Sequence, residues 1–61
     1  MNTYTLTNTE AAEYDADGER ADNLLASLRQ RFGRPTGGLP VETEVLHPDG
    51  YVVEQYTRIG D

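Results

Sequence analysis

The chain has one histidine, His47, and no cysteine. Nucleophilic catalysis built on a His with Ser or Cys would therefore need His47 as its base. His47 stands directly before Pro48 in a turn-like segment, with no nucleophile near it in sequence. We read it as a turn histidine stacked on Tyr51 across a hairpin. Carboxylates are plentiful, and Glu42, Glu44 and Glu54 fall in strand-like segments where they can share a face. Crowded carboxylates raise one another's pKa and can do acid chemistry. With Arg58 offsetting part of the charge, the same pattern describes a solvated sheet face, which is the reading adopted. Glu13, Asp15, Asp17, Gly18 and Glu19 imitate the first half of a calcium loop, with Gly at its sixth position. The twelfth position, where a bidentate Glu is needed, is Leu24, so no metal site is assigned. Without Lys there is no P-loop, and Gly37-Gly38 follows a helical segment instead of preceding one. Arg29, Arg31 and Arg34 form the basic cluster, and a helix C-terminus accounts for them through the dipole. No catalytic residue and no cofactor is assigned.

Length and composition narrow the choice further. The 61 residues, with no Cys and no Trp, make a single small domain over 1–61. Leu, Ile, Val and Phe supply 12 of the 61 residues, close to the ~20% below which chains tend to stay disordered. A domain of this size buries only about 60% of the surface its unfolded chain exposes. Any core must be well patterned or be completed by a partner. Eleven acids against five Arg give a net charge of −6. That disfavours direct binding to nucleic acid or an anionic membrane and favours a basic partner. No apolar run approaches the roughly 18 residues of a membrane span. Residues 1–6 carry neither a basic n-region nor a long apolar stretch, so no signal peptide is expected and the cytoplasm is the default.

The elements that would position these residues follow from periodicity and punctuation. Residues 1–7 alternate, with Tyr4 and Leu6 on one side and Thr3, Thr5 and Thr7 on the other, as in a short edge strand with one wet face. Thr7-Asn8-Thr9-Glu10 has capping-box spacing, with Leu6 and Ala11 as the staple. A helix is expected over 8–32. It ends at Gly33, and Pro35 prevents its continuation. Tyr14, Gly18, Ala21, Leu24, Leu25, Leu28 and Phe32 share one stripe at about 100° per residue. Asp15-Ala16-Asp17-Gly18 is turn-like in composition, but the stripe keeps its phase across it. One long helix is preferred to two, with Gly18 as a close-approach point. Residues 34–40 are a Pro- and Gly-bounded loop.

Strands over 41–46 and 51–58 flank His47-Pro48-Asp49-Gly50, which fits a type I turn with a Gly bulge. That register pairs His47 with Tyr51, Val45 with Val53, Thr43 with Gln55 and Val41 with Thr57, with Ile59 continuing the face. The fold class is α+β in the order β-α-β-β. One long helix is expected to pack on one face of a small three-stranded sheet with a C-terminal hairpin.

The other sheet face would carry Leu46 opposite Val52, with Tyr56 alongside and Glu42, Glu44, Glu54 and Arg58 as a rim. Apolar patches with polar rims mark association sites. Glu42, Glu44, Leu46, Val52, Glu54 and Tyr56 are therefore the candidate partner-binding residues. The expected function is that of a small acidic, non-enzymatic protein-binding module, an inhibitor or adaptor docking on a larger basic protein. Size and charge parallel the small acidic proteins with which phages and mobile elements block nucleic-acid-handling enzymes, as anti-restriction and anti-CRISPR proteins do. No family motif accompanies that parallel. The alternative is a self-associating structural or assembly subunit. An unbroken helix over 8–32 would span about 37 Å and overhang strands of about 25 Å. In that case a homodimer is expected, with Tyr14 at the self-association surface.

Overall fold

A computed structural model describes residues 1–57 and confirms the mixed α+β class. Six elements follow one another: β1 (Asn2–Thr5), α1 (Asn8–Ala16), α2 (Gly18–Phe32), β2 (Arg34–Pro35), β3 (Thr43–Leu46) and β4 (Val52–Thr57). The sheet has four strands in the order β1-β3-β4-β2. β1 runs parallel to β3, and the other two pairings are antiparallel. The two helices form the crossover between β1 and the rest of the sheet.

The capping box is present in full. The Glu10 N–H donates to Thr7 Oγ1 at 3.1 Å, and the Thr7 N–H donates to Glu10 Oε1 at 2.9 Å. Leu6 and Ala11, the expected staple pair, are both buried in the core. The Glu10 carboxylate also accepts from the Tyr4 hydroxyl at 2.7 Å and lies 3.4 Å from Arg31. One side chain thus ties β1, the start of α1 and the end of α2 together. Partial burial works to raise the Glu10 pKa, but the Thr7 and Tyr4 hydrogen bonds, with Arg31, outweigh it and hold it below the usual carboxylate value.

The single long helix is corrected to two. Asp17 closes α1 and opens α2 with φ 62° and ψ −179°, and Gly18 follows at φ 63°. Two successive left-handed residues reverse the chain, and the second costs little only because it is Gly. A 25-residue helix would be about 37 Å long, more than the 33 Å longest extent of the whole Cα trace. Folding α1 back onto α2 removes that overhang and lets Tyr14 pack against the core. The stripe kept its phase because the junction is short, so phase alone does not distinguish one helix from a tight helical hairpin.

The sheet gains a strand that was expected to be loop. Arg34 and Pro35 pair with Thr57 and Tyr56, and the Thr36 N–H donates to the Gln55 carbonyl at 3.2 Å. The hairpin turn matches expectation. The Gly50 N–H donates to the His47 carbonyl at 2.8 Å, the His47 N–H donates to the Tyr51 carbonyl at 2.8 Å, and Gly50 has φ 104°. A Cβ at residue 50 meets no atom within 4 Å, so Gly50→Ala costs backbone strain alone, on the order of 1 kcal/mol. Thermal unfolding of that variant should show the corresponding drop in Tm.

Beyond the turn the register departs from expectation. Leu46 faces Val52 as foreseen, but Val45 then faces Glu54, Glu44 faces Gln55 and Thr43 faces Tyr56. Val53 is left without a partner, a bulge that shifts the rest of β4 by one residue. In the unbulged register, Gln55 and Thr57 would turn toward the helices and Tyr56 toward solvent. The bulge reverses this, and Tyr56 becomes fully buried. Burying a tyrosine of 150–250 Å² at about 25 cal/mol/Å² yields roughly 4–6 kcal/mol as an upper bound. That outweighs one disrupted ladder step of about 1 kcal/mol. Arg58 and Ile59, which were assigned to opposite faces, lie outside the described residues.

The core joins Leu6, Ala11, Leu24, Leu28, Val45 and Tyr56, with Tyr4, Tyr14, Leu25, Phe32 and Val53 packed around it. The expected stripe therefore supplies the helical half of the core. Tyr4 and Phe32 meet at 5.3 Å between ring centroids, and Phe32 and Tyr56 at 6.2 Å. Both helices join the one core on one side of the sheet, and among the described residues no helix covers the other side.

Candidate functional site: the open face of the sheet

Alternation along β3 sends Thr43 and Val45 into the core and Glu44 and Leu46 to the opposite side. Leu46 and Val52 are directly opposed across the β3–β4 ladder. Val52 is 46% exposed, and Leu46 is half-buried beside it. Glu44 stands next along β3 and accepts from the Gln55 amide at 2.8 Å, a cross-strand bond within the pair that the register places opposite. Glu42 immediately precedes β3, and its carbonyl accepts from the Asn2 N–H at 2.8 Å. On β1, Thr3 and Thr5 are exposed. The result is a small apolar pair set among acid, amide and hydroxyl groups.

Four of the six candidate partner-binding residues, Glu42, Glu44, Leu46 and Val52, belong to this strand pair and its entry. The other two are displaced by the bulge at Val53. Tyr56 is in the core and cannot form part of a surface patch without unfolding. Glu54 turns toward α2, where Arg29 clamps its carboxylate in a two-pronged pair, Nε at 3.1 Å and Nη2 at 3.0 Å. The Arg29 side chain is 45% exposed, so this pair contributes no more than about 1 kcal/mol. Its main effect is to neutralise Glu54 away from the open face. The acidic rim is therefore narrower than expected, and the aromatic member is missing.

Tyr14 is also placed differently. It sits half-buried on α1 facing the core, 6.3 Å from the His47 ring. The overhang that called for a second copy at Tyr14 does not exist.

His47 is more deeply buried than a turn histidine usually is, at 4% exposure. Its ring stacks on Tyr51 at 4.6 Å with planes 11° apart, as expected. Its Nδ1 accepts from the Asp49 N–H at 3.0 Å, so the ring proton sits on Nε2, which faces the Asp15 carboxylate at 3.1 and 3.2 Å. Both ring nitrogens are thus committed within the fold, and the imidazole ties the end of α1 to the hairpin turn. This Asp15–His47 link was not legible from the sequence, because 32 residues separate the two and only the helix reversal at Asp17 brings them together. The same link removes Asp15 from the calcium-like segment. Among the described residues no group of three or more His, Asp or Glu side chains could hold a metal ion.

A groove of about 360 Å³ lies between α1 and α2, lined by Glu10, Glu13, Arg20, Asn23, Leu24 and Ser27. It arises from the helical hairpin that takes the place of the expected single helix. It is an open surface groove with Leu24 as its apolar member. Its one strongly held carboxylate, Glu10, is already engaged by Tyr4, Thr7 and Arg31. No helix among the described residues is long and apolar enough to cross a membrane. Comparison of the chain with protein-family models, with curated proteins and with solved structures finds no match in any of the three.

Proposed function

We propose that this chain is a small non-enzymatic protein-binding module that docks through the open face of its sheet on a larger, basic protein, as an inhibitor or adaptor. The observation that carries the reading is the opposed Leu46–Val52 pair on a face the helices leave uncovered, with Glu44 beside it. A pair of this kind supplies the apolar centre of an interface, and the surrounding polar groups supply its rim. The net charge of −6 then sets the sign of the partner. Nucleic acid would be repelled, whereas a protein with a basic groove for nucleic acid would be attracted. The anti-defence proteins of phages and mobile elements work in this manner, and the reading extends to them on size and charge. The inward commitment of both His47 nitrogens supports a binding role over a catalytic one.

Charge reversal tests the electrostatic half of the reading. Glu42→Lys with Glu44→Lys should slow association with the basic partner by about tenfold or more at low salt, with a smaller change in dissociation. Surface plasmon resonance over a salt series measures both rates. Association that is fast and equal at low and high salt would contradict a basic partner.

A further inference from the structure

The two edges of this sheet are built differently. On the β2 side the edge is short and blocked. β2 has two residues, one of which is Pro35 with no N–H to offer, and the exposed stretch of β4 beyond it carries the bulge at Val53. Short strands, proline and bulges are the usual devices that stop a sheet from recruiting another strand. The β1 side has neither proline nor bulge, and its strand has four residues against two. β1 is Asn2-Thr3-Tyr4-Thr5, unbulged against β3, with no proline and no charged side chain. The Asn2 N–H donates inward to the Glu42 carbonyl at 2.8 Å, and the Leu6 N–H donates inward to the Leu46 carbonyl at 2.9 Å. In a parallel ladder successive residues bond to alternate sides. Thr3 and Thr5 therefore direct their N–H and C=O groups away from β3, along the free edge.

From this we infer that β1 is a self-association edge, on which a second copy of this chain adds its own β1 in antiparallel register. The edge is self-complementary. With a twofold axis at Tyr4, Thr3 of each copy stands opposite Thr5 of the other, and the outward groups of both residues are used on both copies. Thr–Thr pairs across antiparallel strands are favourable, and a closed twofold pairing is the commonest form of association. A second copy fits better than a basic peptide because β1 itself carries no charged side chain, and the Glu10 carboxylate beside Tyr4 is already paired with Arg31. The acidic strands do not forbid the pairing. β3 of one copy and β3 of the other would stand three strand spacings apart, about 14 Å, beyond the Debye length of about 8 Å at physiological salt. The product is a continuous eight-stranded sheet, with the open faces of both copies on the same side. This inference concerns the edge and stands independently of the docking proposed for the face.

Sedimentation of the full chain over a wide dilution series tests it, with Thr3→Pro and Thr5→Lys as variants. Proline at residue 3 removes only an outward N–H, and lysine at residue 5 leaves the β1–β3 ladder intact while placing like charges at the seam. The parent should approach twice its 6.8 kDa mass as concentration rises, and each folded variant should dissociate at a concentration at least about tenfold higher. In the dimer the Thr3 and Thr5 amides should gain protection from hydrogen exchange. Should Thr3→Pro fail to fold, Thr5→Lys and the amide protection decide the matter. A parent that stays at 6.8 kDa throughout, or a dimer that Thr5→Lys leaves intact with unprotected Thr3 and Thr5 amides, overturns the inference. Val52→Asp should leave the dimer unchanged, which separates this result from any failure of docking on the face.

Discussion

Tyr56→Ala should leave much of the protein unfolded at room temperature. Tyr56 is the largest fully buried side chain, and its ring packs against Phe32 under α2. Truncating a buried aromatic costs about 3–5 kcal/mol. A chain of this length has a total stability of only about 3–9 kcal/mol. Tyr56→Phe should do the opposite. The Tyr56 hydroxyl is buried beside the Glu54 carboxylate but makes no hydrogen bond of full geometry with it. Burial, reinforced by the neighbouring Glu54 carboxylate, pushes its pKa far up, so the group stays a neutral phenol. Removing a buried hydroxyl whose one polar neighbour is a poorly aligned carboxylate should raise stability by up to about 1 kcal/mol. Urea denaturation of the two variants measures both signs. Were Tyr56 on the open face, neither substitution would move the midpoint by more than about 0.5 kcal/mol.

Leu28→Ala is the second large effect. Leu28 has no exposed surface and sits where the middle of α2 meets the sheet core. A leucine truncated in such a place costs about 2–5 kcal/mol, and more where the surroundings cannot collapse. Here they are held from several directions. Tyr4, Thr7, Glu10 and Arg31 tie the end of α2 to β1 and α1, and Arg29 ties it to β4. A loss near the upper end of the range is therefore expected, and urea denaturation monitored by circular dichroism would show it. Leu25, on the same stripe but only half-buried, should cost visibly less when truncated.

The features legible in the sequence were those set by neighbours. Thr7 and Glu10 are three residues apart, and their capping box formed as spaced. His47-Pro48-Asp49-Gly50 contains its own turn, and Gly50 took the positive φ that the turn requires. The α2 stripe from Ala21 to Phe32 went to the core as its periodicity required. What escaped reading depended on tertiary competition. The reversal at Asp17 and Gly18 follows from a helix too long for its sheet, and α1 buries only Ala11 fully, so its own pattern could not reveal the break. The bulge at Val53 follows from the gain in burying Tyr56 over Gln55 and Thr57, a comparison that requires knowing which face the helices cover. β2 needed β4 as a template, because Arg34-Pro35 carries no strand signal of its own. The candidate site was half legible for the same reason. Glu42, Glu44, Leu46 and Val52 precede the bulge or belong to the other strand, whereas Glu54 and Tyr56 follow it and changed faces.

Docking through the open face would centre on Val52, the most exposed apolar residue of that face. The direct measurement is quantitative capture from a lysate of the source cell by the parent chain, by Val52→Asp, and by Ala26→Asp on the exposed side of α2. The account predicts that the parent and Ala26→Asp retain the same basic protein saturably, and that Val52→Asp loses it while keeping the parent's melting temperature. Retention of that protein by Val52→Asp at undiminished affinity would contradict the account.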